Sequence, residues 1–146
     1  MKIAIGSDHA GLPLKRSLLA ALESMGHAVL DAGTHGGESC DYPDFAHAVA
    51  VKVAAGEAAF GVLCCGSGIG MAIAANRHPD IRAVVLHNST EARLTRLHND
   101  ANIACFGART TGEEVALDAL RAFLGTGFEG GRHQRRLDKL SPTALA

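Results

Sequence analysis

A glycine-rich segment carrying a thiol and a hydroxyl, residues 65–70 (CGSGIG), holds the side chains best suited to chemistry. It follows the apolar residues 60–64, which predict a short buried strand, and residues 71–76 after it predict a helix. Glycine permits a tight turn that aims several backbone N–H groups at one point, and a helix N-terminus adds unpaired donors and partial positive charge. Such a turn can hold an oxyanion and favours the thiolate form of a cysteine. The segment therefore predicts chemistry on a small anionic substrate.

The two adjacent cysteines of this segment are expected to differ in role. Neighbouring residues of a strand point to opposite sides, so Cys64 is predicted to be a buried packing residue and Cys65 to face the pocket as base or nucleophile. The alternative is that both thiols only pack. The glycine spacing also resembles part of a dinucleotide-binding motif, but that motif belongs after the first strand and needs a third glycine further along, where Met71 and Ala72 follow instead. We therefore favour an oxyanion cradle over a nucleotide site.

Strand-like and helix-like patterns alternate along the whole chain, and these elements form the scaffold that positions the glycine-rich segment. The alternation predicts one domain over residues 1–146, with a parallel sheet covered by helices on both faces and right-handed crossovers. Asp44, Ser89 and a Thr111/Glu114 capping box are predicted to begin three of the helices. Predicted strands cover residues 2–6, 27–31, 60–64, 82–86 and 103–106, and predicted helices cover residues 11–25, 44–55, 68–76, 89–99 and 111–124.

Ligands of such sheets bind beyond the carboxyl ends of the strands, so the residues that follow each strand are site candidates. Asp8 and His9 follow the first strand, although Asp8 could equally cap the first helix. Arg109 follows the fifth. His98 lies at the end of a predicted helix. A histidine there could interact favourably with the negative end of the helix dipole, or it could act as an acid or base at a second edge of the sheet.

The C-terminal tail brings two arginines together. Arg132 and Arg136 share a face of a short predicted helix by i,i+4 spacing, which suits a phosphate, although a solvated polar helix is the alternative. The tail lies beyond the last core helix, so these arginines could reach a neighbouring subunit's site.

Composition excludes several classes of partner. A net charge of −1 and 4% aromatic residues give no general attraction for nucleic acid and no base-stacking platform. No apolar stretch is long enough for a membrane span or signal peptide, and the four cysteines show no disulfide or metal pattern. Eight histidines lack any tight ligand spacing. We expect a cytoplasmic protein with no cofactor and no catalytic metal.

Motifs along the chain resemble the RpiB/LacA/LacB sugar-phosphate isomerases, in particular the ribose-5-phosphate isomerase B group. They occur in the family's order and cover nearly the whole chain, so they are specific together although none is alone. They are GSDHAG (6–11), DYP (41–43), CGSGIG (65–70), AAN (74–76), IRA (81–83), HND (98–100), FGAR (106–109) and EGGRHQ (129–134).

This resemblance implies a Rossmann-like three-layer α/β/α sandwich with a five-stranded parallel sheet and a C-terminal helical tail. It implies a homo-oligomer, dimer or tetramer, whose sites are shared between subunits. It also implies aldose–ketose isomerisation of a sugar phosphate through a cis-enediol(ate). The implied catalytic residues are Cys65 (the C1–C2 base), Ser67, Asp8 (proton transfer between O1 and O2) and His98 (ring opening). The implied substrate-binding residues are His9, Tyr42, Gly66, Gly68, Gly70, Asn99, Arg109, Arg132 and Arg136.

Two features of this chain refine the resemblance. Ser67 stands where other members have Thr, which preserves the hydroxyl. One branch replaces the cysteine base with a glutamate further along, and residues 71–75 contain none, so the cysteine mechanism is expected. Ribose 5-phosphate is the favoured substrate. The alternative substrates are allose 6-phosphate, galactose 6-phosphate or a tetrulose phosphate. The alternative functions are a non-catalytic phospho-sugar-binding subunit and a nucleotide-dependent redox enzyme.

Overall fold

The computed structural model describes residues 1–142, and within them the predicted alternation of strands and helices is confirmed. The strands are β1 (Lys2–Ser7), β2 (Ala28–Asp31), β3 (Phe60–Cys65), β4 (Ala83–Val85) and β5 (Ile103–Gly107). The helices are α1 (Leu12–Ser24), α2 (Tyr42–Ala54), α3 (Ile69–Ala75), α4 (Ser89–Asn99), α5 (Glu113–Gly125) and α6 (Arg132–Leu137), the last being the expected tail helix.

The five strands form a parallel sheet in the order β2-β1-β3-β5-β4. The chain leaves β1 for β2 on one side and then crosses back to β3 on the other, so a topological switch point lies between β1 and β3. The register sets Ser7 opposite Cys64, and Cys65 opposite Gly107. The residues just beyond β1, β3 and β5 therefore emerge side by side at one edge, where sheets of this kind bind ligands.

Strand side chains alternate between two apolar layers because successive residues point to opposite faces. One layer joins Ile3, Ile5, Val62, Cys64 and Phe106 to helices α1, α4 and α5. The other joins residues such as Leu63, Cys65, Ile103 and Cys105 to helices α2 and α3. The molecule is therefore a Rossmann-like α/β/α sandwich, and Cys64 and Cys65 are on opposite faces of the sheet.

The predicted helix caps are wrong in three places. Helix α4 is capped by Asn88, whose side chain accepts the Glu91 N–H at 2.8 Å, and not by Ser89. Helix α2 already begins at Tyr42, so Asp44 lies in its first turn. No Thr111/Glu114 capping box forms, because α5 begins after Gly112 without a side-chain cap. Of these three helices only α4 has a side-chain cap, so a capping residue type in the sequence does not by itself determine where a helix begins.

Among residues 1–142, no helix has the length and apolar character required to cross a membrane.

Candidate active site

A cleft of about 340 Å³ opens at the carboxyl edge of the sheet, where the switch point predicts a ligand site. It collects residues from the ends of β1, β3 and β5 and from the start of α2. Most of the residues predicted from the sequence to act on substrate are here. The lining residues are Asp8, Tyr42, Cys65, Gly66, Ser67, Gly70, Arg109 and Thr110.

Cys65 ends β3 at the base of this cleft and is only 5% exposed. The Gly68 N–H donates to its Sγ at 3.1 Å, so the glycine turn contacts the sulfur directly. Cys64 is fully buried in the opposite layer, where burial first of all raises the pKa of its thiol. The division between a packing thiol and a cleft thiol is confirmed, and Cys65 is the one able to exchange a proton with a ligand.

The glycine turn after Cys65 is shaped by close approaches. Gly68 has φ 77°, and a Cβ there would lie 2.9 Å from the backbone carbon of Phe106. A Cβ on Gly70 would lie 2.6 Å from the Tyr42 ring, so this ring occupies the space that a side chain would fill. Glycine is therefore required at both positions: the first lets the turn form, and the second lets Tyr42 pack over the start of α3.

Asp8 lines the cleft and is not the N-cap of α1, which is Gly11 without a side-chain cap bond. Its Oδ1 accepts the Gly11 N–H at 2.9 Å, and its own N–H donates to the Cys64 carbonyl at 3.3 Å. Only 7% of Asp8 is exposed. Within residues 1–142 its second carboxylate oxygen, Oδ2, accepts no hydrogen bond, which leaves this oxygen available to a ligand.

His9 has its ring orientation fixed by the loop between β2 and α2. The Cys40 N–H donates to His9 Nδ1 at 3.2 Å, so a neutral His9 carries its proton on Nε2. That nitrogen is then a hydrogen-bond donor, the form that a phosphate oxygen requires.

Ser67 and Arg109 add a hydroxyl and a positive charge. The Ile69 N–H donates to Ser67 Oγ at 3.3 Å, which leaves the hydroxyl proton free to be donated to a ligand. The Arg109 N–H donates to the Gly66 carbonyl at 2.9 Å, and its guanidinium passes over Gly66, 3.3 Å from where a Cβ would stand. The cleft therefore offers backbone donors, a hydroxyl and a cation to an anionic ligand.

Six predicted residues are not part of this lining. Gly68 and His9 adjoin lining residues, whereas four others lie at the opposite edge of the sheet: His98, Asn99, Arg132 and Arg136. His98 and Asn99 end α4, which runs back to the amino edge of the sheet, where the nearby Asn102 carbonyl accepts the Gly61 N–H at 2.9 Å. Gly61 and Cys65 are separated by four residues of β3, or about 13 Å at roughly 3.3 Å per residue. The chain after α5 returns to the same edge, because the Glu129 N–H donates to the Leu97 carbonyl at 3.1 Å, and α6, which carries Arg132 and Arg136, follows directly.

His98 forms a cluster with His133 and Glu129 at this second edge. The rings of the two histidines are stacked with centroids 4.5 Å apart, and the ligand atoms of the three residues lie within 4.8 Å of one another. Burial, and then the positive charge of Arg132, lower the pKa of His133. The group could hold a metal ion by residue type, but its arginine neighbours create a potential that favours an anion.

Thr110 lines the cleft and was missed from the sequence. It directly follows Arg109 beyond β5, so the rule that sites lie after parallel strands could have found it one residue further along.

Comparison with known proteins agrees with this geometry. The sequence model of the family described as Ribose/Galactose Isomerase matches residues 3–140. The chain is 46% identical over 140 residues to ribose-5-phosphate isomerase B of Escherichia coli (strain K12), which covers 96% of this chain and 94% of that protein. It is 41% identical to ribose-5-P isomerase B of Listeria innocua, covering 94% and 93% respectively.

Solved structures show the same likeness. A ribose-5-phosphate isomerase B from Clostridium thermocellum superposes with a TM-score of 0.97 at 49% identity, covering 99% of this chain and 98% of the other. The type B ribose 5-phosphate isomerase of Trypanosoma brucei gives a TM-score of 0.93 at 45% identity, covering 97% of each chain. The chain belongs to the ribose/galactose isomerase family of sugar-phosphate aldose–ketose isomerases. It is an isomerase, and the resemblance seen in its motifs is confirmed.

Proposed function

We propose that this isomerase interconverts ribose 5-phosphate and ribulose 5-phosphate with Cys65 as the base. The observation that carries the assignment of the base is the thiol at the bottom of the cleft, with the Gly68 N–H on its sulfur and the buried carboxylate of Asp8 lining the same cleft. The choice of ribose 5-phosphate rests on the names of the relatives above, which are ribose-5-phosphate isomerases.

The reaction proceeds on the open-chain sugar by proton transfer. The Cys65 thiolate removes the C2 proton of the aldose, and the electron pair moves through C1–C2 onto O1 to form an enediolate. Asp8 passes the O2 proton towards O1, and Cys65 returns its proton to C1, which leaves the ketose. Backbone N–H groups of residues 66–70 and the Ser67 hydroxyl stabilise the charge that develops on oxygen.

We propose that each complete site is formed by two copies of this chain. His98, Asn99, Arg132 and Arg136 lie at the amino edge of their own sheet, too far away to serve their own cleft. In a homo-oligomer, His98 of a second copy would assist ring opening, while its two arginines would join His9 and Arg109 on the phosphate. Exposed apolar residues beside the cleft favour such a contact: Tyr42 is 41%, Ile69 56% and Ile73 54% exposed.

The four free cysteines suit a reducing compartment, so the proposal includes a cytoplasmic location.

The base is tested with Cys65→Ala, measured for ribose 5-phosphate turnover and binding beside a panel of four- to six-carbon sugar phosphates. A lost general base lowers kcat by about 10²–10⁴-fold, while KM changes little. Cys64→Ala is the matched control, since it deletes the neighbouring thiol on the other face of the sheet. Full activity of Cys65→Ala would refute the base assignment. If the wild type turned over a different sugar phosphate of the panel, that sugar would replace ribose 5-phosphate as the assigned substrate. Binding without any turnover would favour a non-catalytic subunit.

The proposal that two copies of the chain share each active site is tested by mixing two inactive variants, Cys65→Ala and Arg132→Glu. Random pairing gives about half heterodimers, each with one intact site, so about a quarter of wild-type activity should return if sites are shared. Arg135→Glu, the same charge reversal on the same helix, should remain active alone. A mixture as inactive as its components, with heterodimers shown by mass spectrometry, would contradict sharing.

A further inference from the structure

Lys15 is a fully buried lysine that the reaction above does not use. It lies on the inner side of α1, and only 1% of the residue is exposed. A buried ammonium is costly unless it is paired and hydrogen-bonded. Lys15 Nζ meets both conditions by donating to Asp31 Oδ1 at 2.6 Å and to the Thr34 carbonyl at 2.8 Å.

These two acceptors lie in the turn that follows β2, and the turn holds the end of β1. Asp31 Oδ1 also accepts the Gly33 N–H at 2.9 Å, so one oxygen connects the turn to Lys15. The Ser7 N–H donates to the Gly33 carbonyl at 2.6 Å, and the Ser7 carbonyl accepts the Thr34 N–H at 2.7 Å. Ser7 is therefore held at both of its backbone groups by a turn that Lys15 closes.

Asp8 comes directly after Ser7. Its carboxylate is bound to the Gly11 N–H at the start of α1, the helix that also carries Lys15. The start of α1 therefore binds the Asp8 carboxylate directly, and Lys15, one turn further along the same helix, binds the segment that holds Ser7.

We propose that Lys15 is a positioning residue for Asp8, acting through the turn of residues 31–34 to hold the end of β1. Because the Asp31 side chain is 26% exposed, the pair is only partly buried, and we assign its role here to geometry and not to stability. Asp8 must stay within hydrogen-bond reach of two substrate oxygens, and a displacement of about 1 Å can cost about 10²-fold in rate. The inference rests on the proposed function, because it assigns proton transfer to Asp8.

The test is a double-mutant cycle on kcat with Lys15→Met, Asp8→Asn and the combination of the two. Lys15→Met should lower kcat for ribose 5-phosphate at least about 10-fold. A rise in KM through His9, which follows Asp8 and is proposed to contact the phosphate, should be the smaller effect, because Arg109 lies beyond a different strand. In the Asp8→Asn background the same change should have little further effect. Lys52→Met is the matched control, because Lys52 forms only a surface pair with Glu57 at 3.5 Å.

Additive losses in the cycle, or an unchanged kcat in Lys15→Met, would overturn the proposal. If Lys15→Met does not fold, Lys15→Met with Asp31→Asn removes both charges of the pair together and enters the same cycle. Hydrogen exchange provides a readout independent of turnover: amides of residues 4–10 and 31–41 should exchange faster in the variant, with α5 unchanged. Uniformly faster exchange would indicate a general structural role and refute positioning. Absence of wild-type turnover would refute the proposed function instead, and exchange would still decide the role of Lys15.

Discussion

Gly68→Ala tests whether the glycine turn is required by its geometry. Gly68 has φ 77°, a conformation that costs an L-residue about 1–2 kcal/mol. The new Cβ would also lie 2.9 Å from the Phe106 carbon and 3.2 Å from the Gly107 nitrogen, both backbone atoms of β5, an inner strand paired on both sides. Because this strand cannot move aside cheaply, overpacking adds about 1–3 kcal/mol. The free energy of unfolding should therefore fall by about 2–5 kcal/mol.

The same substitution should reduce activity, because relief of the contact displaces the N–H that donates to Cys65 Sγ at 3.1 Å. Loss of one such donor costs about 10²–10³-fold in kcat. Urea denaturation gives the stability, and ribose 5-phosphate turnover under conditions where the variant is folded gives the rate.

Two other glycines separate the contributions to that loss. Gly26 has φ 82° with nothing within 4 Å of a Cβ, so Gly26→Ala measures the backbone cost alone. Gly112 has φ −64° and equally open space, so Gly112→Ala should be close to neutral. If Gly68→Ala were no less stable than Gly26→Ala and kept wild-type kcat, the argument from close packing in the turn would be wrong.

Two further predictions concern the rest of the fold. Asn76→Ala should lower the free energy of unfolding, measured in urea, by about 2 kcal/mol. The reason is that the Asn76 side-chain amide donates to the Ala83 carbonyl at 2.8 Å and accepts from the Ala83 N–H at 2.7 Å. An unchanged midpoint of urea denaturation would contradict this. Burial, and then Arg132, lower the pKa of His133 below 6.5 in the folded state, so the unfolded chain takes up a proton that the folded chain does not. Stability should therefore fall as pH drops below about 7 towards the lowered pKa, and calorimetry at several pH values should show a weaker decline for His133→Gln than for the wild type.

The sequence predicted strands and faces well because both follow from local periodicity. Strand β3 was predicted over residues 60–64 and ends at Cys65, and the opposite orientations of Cys64 and Cys65 follow from the period of two in a strand. The cleft residues were predictable for a related reason, since parallel strands bring their carboxyl ends to one edge.

Features that depend on contacts distant in the chain were not predictable from the same patterns. In the sequence Lys15 is not distinguishable from an ordinary lysine of a helix. Its partners Asp31 and Thr34 are 16 and 19 residues away, so no local pattern connects them. The N-cap of α4 fell on Asn88 instead of Ser89, since adjacent residues of similar propensity are separated only by side-chain geometry.

The placement of Cys64 and Cys65 on opposite faces of the sheet also determines which thiol an oxidant can reach. A disulfide requires the two Cβ atoms to approach within about 4.5 Å, and adjacent strand residues whose side chains point apart cannot do so without reversing one of them. Their thiols are in separate apolar layers, with Cys64 fully buried and Cys65 5% exposed. An oxidant must therefore enter through the cleft to reach Cys65, so a bound sugar phosphate would shield the thiol from peroxide for as long as it occupies the site.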